Sequence, residues 1–184
     1  MQIQLLTTRF NDTTWKQNYD YKERNGIKGC IYGSATKIKD AIPLNNLVFI
    51  IEMNNSSNKI EGIGLIFNIV HFDKYYKIYE SGTYNRYIYK SNYRIDRSNL
   101  QFDLLESLEN ICFKGKTHLK RGIGFTSIPE KLKRSLNYDI NSLLKNEFIK
   151  NFGKDIVESN DKTQETQETQ ENHKKKKKKL IIIE

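Results

Sequence analysis

Between Phe113 and Phe125 the chain reads Phe-Lys-Gly-Lys-Thr-His-Leu-Lys-Arg-Gly-Ile-Gly-Phe, with Glu109 the one acidic residue close by. Glycines let backbone amides approach an anion closely, while Lys114, Lys116, Lys120 and Arg121 supply the charge that a phosphodiester backbone rewards whatever its base sequence. The stretch reads as an anion-binding loop; a solvated Lys/Gly connection is the second reading of the same residues. Catalysis finds little footing here. Gly115-Lys116-Thr117 resembles the end of a phosphate loop, but the first glycine of that motif would fall at Asn110, and a helical pattern rather than a strand precedes it. His118 has no positioned partner in the sequence, so it reads as a phosphate-facing or solvated histidine and not as a general base.

A second group interleaves aromatics with cations, Tyr84-Asn-Arg-Tyr-Ile-Tyr-Lys-Ser-Asn-Tyr-Arg-Ile-Asp-Arg97. As one regular strand it would point Arg86, Lys90 and Arg94 one way and Tyr87, Tyr89 and Tyr93 the other, a tyrosine face to bury and a basic face for phosphate. The single tryptophan, Trp15, sits in a polar stretch with Tyr19 and Tyr21. These three are candidates for an aromatic pocket; a tryptophan clamping its segment onto the core is the alternative. His71, His118 and His173 show no metal-ligand spacing with one another or with Cys30 and Cys112, and Glu52, Glu61 and Asp73 form no specific acidic motif. No metal and no cofactor are expected.

The charge balance agrees with a polyanionic partner. Residues 154–184 carry eight Lys and seven Asp/Glu, so of the net +9 on the 184-residue chain, +8 belongs to residues 1–153. RNA, DNA or an acidic surface is the expected partner. Lysine outnumbers arginine 24 to 7, in keeping with an AT-rich coding bias, so the arginines that persist against it (Arg9, Arg24, Arg86, Arg94, Arg97, Arg121, Arg134) are the more informative cations. Two isolated cysteines and the absence of a signal-peptide apolar core point to a reducing setting, cytoplasmic or nuclear. Apolar runs are strand-length, so no membrane partner is expected.

These candidates need elements to position them. Residues 1–10 read as a first strand, 11–33 as a long irregular loop with one turn of helix at most, and 35–41 as a short helix ended by Pro43. Leu47–Met53 and Ile60–Val70 read as strands of a hairpin turned by Asn54-Asn-Ser-Ser-Asn58. Tyr75–Ile95 is a third β-rich region. Apolar residues at helical spacing mark a helix over 100–113, and two more follow, one starting at Pro129 and one capped by Asp139. From residue 154 the Thr-Gln-Glu repeats and the run Lys174–Lys179 are expected to form a disordered tail, for which a nucleic-acid or nuclear-targeting role and no role at all stand as alternatives.

Thr13-Thr14-Trp15, Tyr21 and Arg24-Asn25, followed by Pro43-Leu-Asn-Asn-Leu-Val-Phe-Ile50 and Gly62-Ile-Gly-Leu-Ile66, resemble the opening of EVE-type domains of the PUA-like superfamily over about residues 1–70. The resemblance implies a small β-barrel that binds RNA or DNA, with a base, in several members a modified one, entering an aromatic-lined pocket. It adds Arg24 and Asn25 to the pocket candidates. The composition and the Asn-rich turns are also similar to those of proteins of large DNA viruses, which widens the expected setting to an infected cell or a virion.

The expectation is therefore one α+β domain over 1–153, a curved antiparallel sheet or partly closed PUA-like barrel followed by about three helices. Its expected function is non-enzymatic nucleic-acid binding, with Arg86, Lys90, Arg94, Lys114, Lys116, His118, Lys120 and Arg121 along the phosphates. A structural or assembly protein docking on an acidic surface, and a nucleic-acid-processing enzyme, are the alternatives.

Overall fold

The computed structural model describes residues 3–116, 118–154 and 156. The tail expectation and the polylysine run lie outside the described residues. The architecture is α+β. A five-stranded mixed sheet has the order β6-β4-β3-β1-β7, and β2 and β5 form a separate two-stranded sheet. The strands are β1 (Gln4–Phe10), β2 (Cys30–Ser34), β3 (Leu47–Asn54), β4 (Lys59–Phe67), β5 (Tyr87–Ser91), β6 (Tyr93–Asp96) and β7 (Thr126–Ser127); the helices are α1 (Asp12–Arg24), α2 (Phe102–Phe113), α3 (Glu130–Arg134) and α4 (Ile140–Phe152). The large sheet does not close into a barrel.

The central strand β3, Leu-Val-Phe-Ile-Ile-Glu-Met-Asn, is buried along its whole length because both faces of the sheet are covered. Alternation divides its side chains between two cores. Leu47, Phe49, Ile51 and Met53 pack with Leu104 and Leu108 of α2 and Leu144 and Phe148 of α4. Val48 and Ile50 face the opposite way, joining Leu6, Phe10, Tyr32, Tyr89 and Phe125. Ile156 is buried in the first of these cores, so packing continues past Gly153.

The β3–β4 hairpin forms as its turn chemistry requires. Asn54 accepts from the backbone N–H groups of Ser56 and Ser57 at 3.0 and 3.3 Å, and Asn58 takes a positive φ of 55°. The three later helices also form where expected.

Four expectations are corrected. First, residues 12–24 are a helix: Asn11 caps it, accepting from the Thr14 N–H at 2.8 Å while its own N–H donates to Thr14 Oγ1 at 3.0 Å. Second, the sheet is not antiparallel throughout, since β1 runs parallel to β3; the segment containing α1 and β2 supplies the crossover such a pair needs. Third, 35–41 is not helical. Ile38 and Ile42 are buried individually, and the Ile38 N–H donates to the Tyr89 hydroxyl at 3.0 Å. Fourth, Tyr75–Ile95 is not one strand. A 3-10 turn at Gly82–Asn85 precedes β5, which pairs with β2, whereas β6 leaves that sheet to pair with β4.

Candidate functional site

The last correction separates three cations expected to share a face. Arg86 is exposed, with its guanidinium 5.8 Å from the Tyr87 ring centroid. Lys90 donates to the Tyr76 hydroxyl at 2.6 Å and pairs with Asp73 at 3.5 Å. Arg94 turns inward and does not face a phosphate track. Its Nη2 lies 2.7 Å from Glu52 Oε2 and its Nε 2.9 Å from Oε1, while Nη1 reaches Asp96 at 3.0 Å.

The local sequence makes room for this ion pair. Gly62 and Gly64 on β4 sit where any Cβ would fall 2.6 Å from Arg94 Nη2 and 2.2 Å from the Tyr32 hydroxyl, respectively. A register shift beside Glu52 frees the Glu61 carbonyl, which accepts from Arg94 Nη2 at 3.0 Å. Tyr32 donates to Glu52 Oε1 at 2.7 Å. Burial alone would lower the Arg94 pKa, but the Glu52 carboxylate outweighs it and the guanidinium is held charged. Burial, with Glu52 nearby, pushes the Cys30 thiol up to about 12 and the Tyr32 phenol well above its ordinary value.

Trp15 belongs to this packed region, half-buried on α1. Its ring meets Phe10 edge-on at 5.2 Å, and Arg94 lies 5.9 Å from its centroid. Tyr21 is buried in the core, Tyr19 is exposed, and Arg24 and Asn25 bond back to Asp20 and Tyr21 of their own helix. None of these five lines the cavity that opens on the other side of Phe10.

That cavity, about 430 Å³, lies where the C-terminal ends of β1 and β2 meet the start of α1 and the Ile123-Gly124 turn. Phe10, Tyr79 and Tyr84 supply aromatic surface, Tyr79 meeting Tyr84 edge-on at 6.2 Å. Arg9, Asn11, Ser34 and Asn55 supply polar groups. Gly33 and Gly124 allow the close approach of the walls: a Cβ on Gly33 would fall 2.3 Å from the Tyr84 carbonyl, and one on Gly124 2.9 Å from Ser34 Oγ. Burial pushes the Tyr79 phenol up and the Arg9 guanidinium down from their ordinary pKa values.

The basic loop forms one rim of this cavity. Leu119 is buried and its N–H donates to the Cys112 carbonyl at 2.9 Å, which pins the loop against α2. The Lys120 carbonyl then accepts from Arg9 Nη1 at 2.5 Å and from Asn55 Nδ2 at 3.1 Å, both groups of the cavity wall. Lys114, Lys116 and Arg121 are exposed, whereas the Lys120 ammonium donates to Asn58 at 2.6 Å. His118 Nδ1 accepts from the Lys120 N–H at 3.3 Å, so this face of the ring is turned to its own loop. Across the cavity, Ser34 pairs with Tyr87, whose ring has Lys37 at 5.6 Å and Arg86 at 5.8 Å.

Sequence reasoning assigns neither Arg9 nor Asn55 to a site: the first counts among the informative arginines and otherwise reads as part of a strand, the second as part of a turn. Among the described residues no group of three or more His, Cys, Asp or Glu side chains is placed to hold a metal ion, and no helix is long and apolar enough to cross a membrane. No protein-family model, curated protein or solved structure matches the chain.

Proposed function

We propose that this protein binds nucleic acid without transforming it, the loop from Lys114 to Arg121 running along phosphates while a base enters the cavity between β1 and β2. One juxtaposition carries the reading. An aromatic-walled cavity within the size range of small-ligand sites opens at the Ile123-Gly124 end of the loop that carries the exposed Lys114, Lys116 and Arg121, with Arg86 and Lys37 around Tyr87, the strand partner of its Ser34 wall. Aromatic walls suit a π-face and exposed cations suit a backbone, a combination that single-strand binders use. The resemblance of residues 1–70 to the EVE-type opening supports the same reading, and we place the fold as a PUA-like relative whose pocket lies on the Phe10 side of α1. Trp15 then backs the pocket through Phe10 instead of lining it. The test is binding of single- and double-stranded RNA and DNA at two salt concentrations. Affinity should fall steeply as salt rises, and loss of Lys114, Lys116 and Arg121 should flatten that dependence. No binding at low salt, or binding indifferent to salt, overturns the proposal.

A second reading, assembly, is favoured by one observation. Exposed Leu44, Ile69 and Phe72 line a separate cleft of about 540 Å³ on the far end of the β2–β3 connection. It predicts that Phe72→Ser alters self-association or partner capture and leaves nucleic-acid affinity unchanged.

A further inference from the structure

Two large apolar side chains stand out in solvent at the cavity, Tyr84 at 48 % exposed and Ile123 at 75 %. Leaving such residues in water forgoes the burial that folding rewards, yet the turns that carry them are packed down firmly. Asn85, buried beside Tyr84, accepts from the Ile78 and Tyr79 N–H groups at 3.1 and 2.9 Å and donates to the Tyr79 carbonyl at 2.7 Å, which fixes the first turn. Ile123 sits between two glycines whose surroundings have no room for a side chain: a Cβ on Gly122 would fall 2.2 Å from Thr126 Oγ1, and one on Gly124 2.8 Å from Thr36 Oγ1. The glycines press against their neighbours, and the residue between them projects outward.

These two turns lie on opposite sides of β2. A Cβ on Gly33 would meet the Tyr84 carbonyl at 2.3 Å, whereas Ser34 Oγ lies 2.9 Å from the Cβ position of Gly124. Consecutive strand residues point to opposite faces, so the Tyr84 turn and the Ile123 turn flank the end of β2 from its two faces. The aromatic contacts agree. Phe125, next in the chain after Gly124, meets Tyr32 edge-on at 6.3 Å, and Tyr32 shares a face with Ser34. The cavity, bounded along β1 by Thr8, Arg9 and Phe10, thus has an apolar jaw on either side.

Two apolar surfaces bordering one gap suit a flat group, since a planar ring can offer a face to each. The connection that bears Ile123 also bears the exposed Lys114, Lys116 and Arg121, so the fitting occupant carries repeated anions beside its ring. A nucleotide strand supplies one phosphate for each ring. In a duplex the faces are taken by neighbouring bases and only edges are open, so a paired base cannot be gripped in this way.

We propose that Tyr84 and Ile123 are the two jaws of a slot for one unstacked base, which makes single-stranded nucleic acid the ligand and excludes a regular duplex. This rests on the reading of the cavity as a base pocket and names its strand class and its gripping residues. The loop cations read charge; the jaws read only that a base is free.

The experiment uses the full chain and fluorescence anisotropy with short strands. A strand with one base among abasic positions should bind about fivefold or more tighter than a wholly abasic strand of the same length, the lower end of base–aromatic stacking. Tyr84→Ala should erase most of that difference and Ile123→Ser part of it, Tyr84→Phe should keep it, and none of the three should change affinity for the abasic strand or the salt dependence. Binding of the abasic strand also shows that each variant is folded. A mixed-sequence strand should lose about tenfold or more in affinity when annealed to its complement. Equal affinity for base-bearing and abasic strands, a duplex bound as tightly as a single strand, or a Tyr84→Ala loss that appears equally on abasic strands, with salt-sensitive binding retained, overturns the slot alone. No binding to any strand overturns the nucleic-acid reading itself, and capture of a glutamate–tyrosine copolymer in its place assigns the slot to a protein side chain.

Discussion

Arg94 lies over the Trp15 ring and Arg9 adjoins Phe10 in β1, and the two arginines beside this aromatic pair are treated in opposite ways. Arg94 faces a buried carboxylate, two backbone or carboxylate oxygens besides, and a pair of glycines that make its slot. Arg9 has one carbonyl, an orphaned Nε and a cavity. A buried cation whose charge is answered within the fold serves the fold, and removing its partner strands it. Arg9 is answered by a backbone carbonyl alone, with no carboxylate partner among the described residues. Composition does not distinguish the two; only the partner does.

That contrast is most directly broken at Glu52. Glu52→Gln should destabilise the protein by about 3 kcal/mol, since it leaves the buried Arg94 guanidinium with only the half-exposed Asp96 to answer its charge, and urea denaturation measures it. Arg9→Met should change stability by less than about 1 kcal/mol, because the Lys120 carbonyl it gives up is still held by Asn55. If Arg9→Met proves as destabilising as Glu52→Gln, the two arginines are alike and the contrast fails. Next in size, Gly64→Ala should cost about 1–3 kcal/mol by driving a methyl against the Tyr32 hydroxyl, with affinity per folded molecule unchanged.

Smaller effects sharpen the comparison from the binding side. Each of Lys114→Ala, Lys116→Ala and Arg121→Ala should lower the slope of log affinity against log salt by about one and weaken all strands alike, whereas Lys120→Ala should do less because its ammonium already holds Asn58. The smallest concerns the thiols. Cys30 and Cys112 have pKa values pushed up to about 12, so between the ordinary thiol value near 9 and that point the unfolded chain has released protons that the folded one retains. Their contribution is present below about pH 9 and is lost as pH rises toward 12. Neither thiol should react with a thiol reagent in the native protein at mildly alkaline pH, and rapid labelling would place them outside the cores.

What the sequence disclosed follows the strength of its local signals. The β3–β4 hairpin was legible because its Asn/Ser turn and flanking apolar runs agree, and α2 because six apolar residues keep one helical period. The first helix was not, because its buried stripe consists of Trp15, Asn18 and Tyr21. Asn18 belongs to it by donating to the Ile31 carbonyl at 2.8 Å and the Tyr79 hydroxyl at 3.1 Å, a polar group no hydrophobic count would select. The parallel pairing of β1 with β3 was invisible because a two-residue period is the same in either direction. At the site, the loop cations were legible as a cluster, whereas Arg9 and Asn55 are single residues 46 positions apart whose nearness comes only from the fold. Two hints were present, an arginine retained among many lysines and an asparagine beyond those a turn requires.

The carbonyl of Lys120 has a further consequence. It is a backbone atom, so no side-chain substitution at that position removes the acceptor that Arg9 and Asn55 share. At Lys120 the connection from α2 to β7 is thus tolerant of changes in residue type and intolerant of changes in length. A single-residue deletion between Lys114 and His118 would retract the acceptor from both side chains at once, releasing the guanidinium and the amide together while every loop cation remained. Such a protein would keep its loop charge while the cavity wall came away from the loop that holds it.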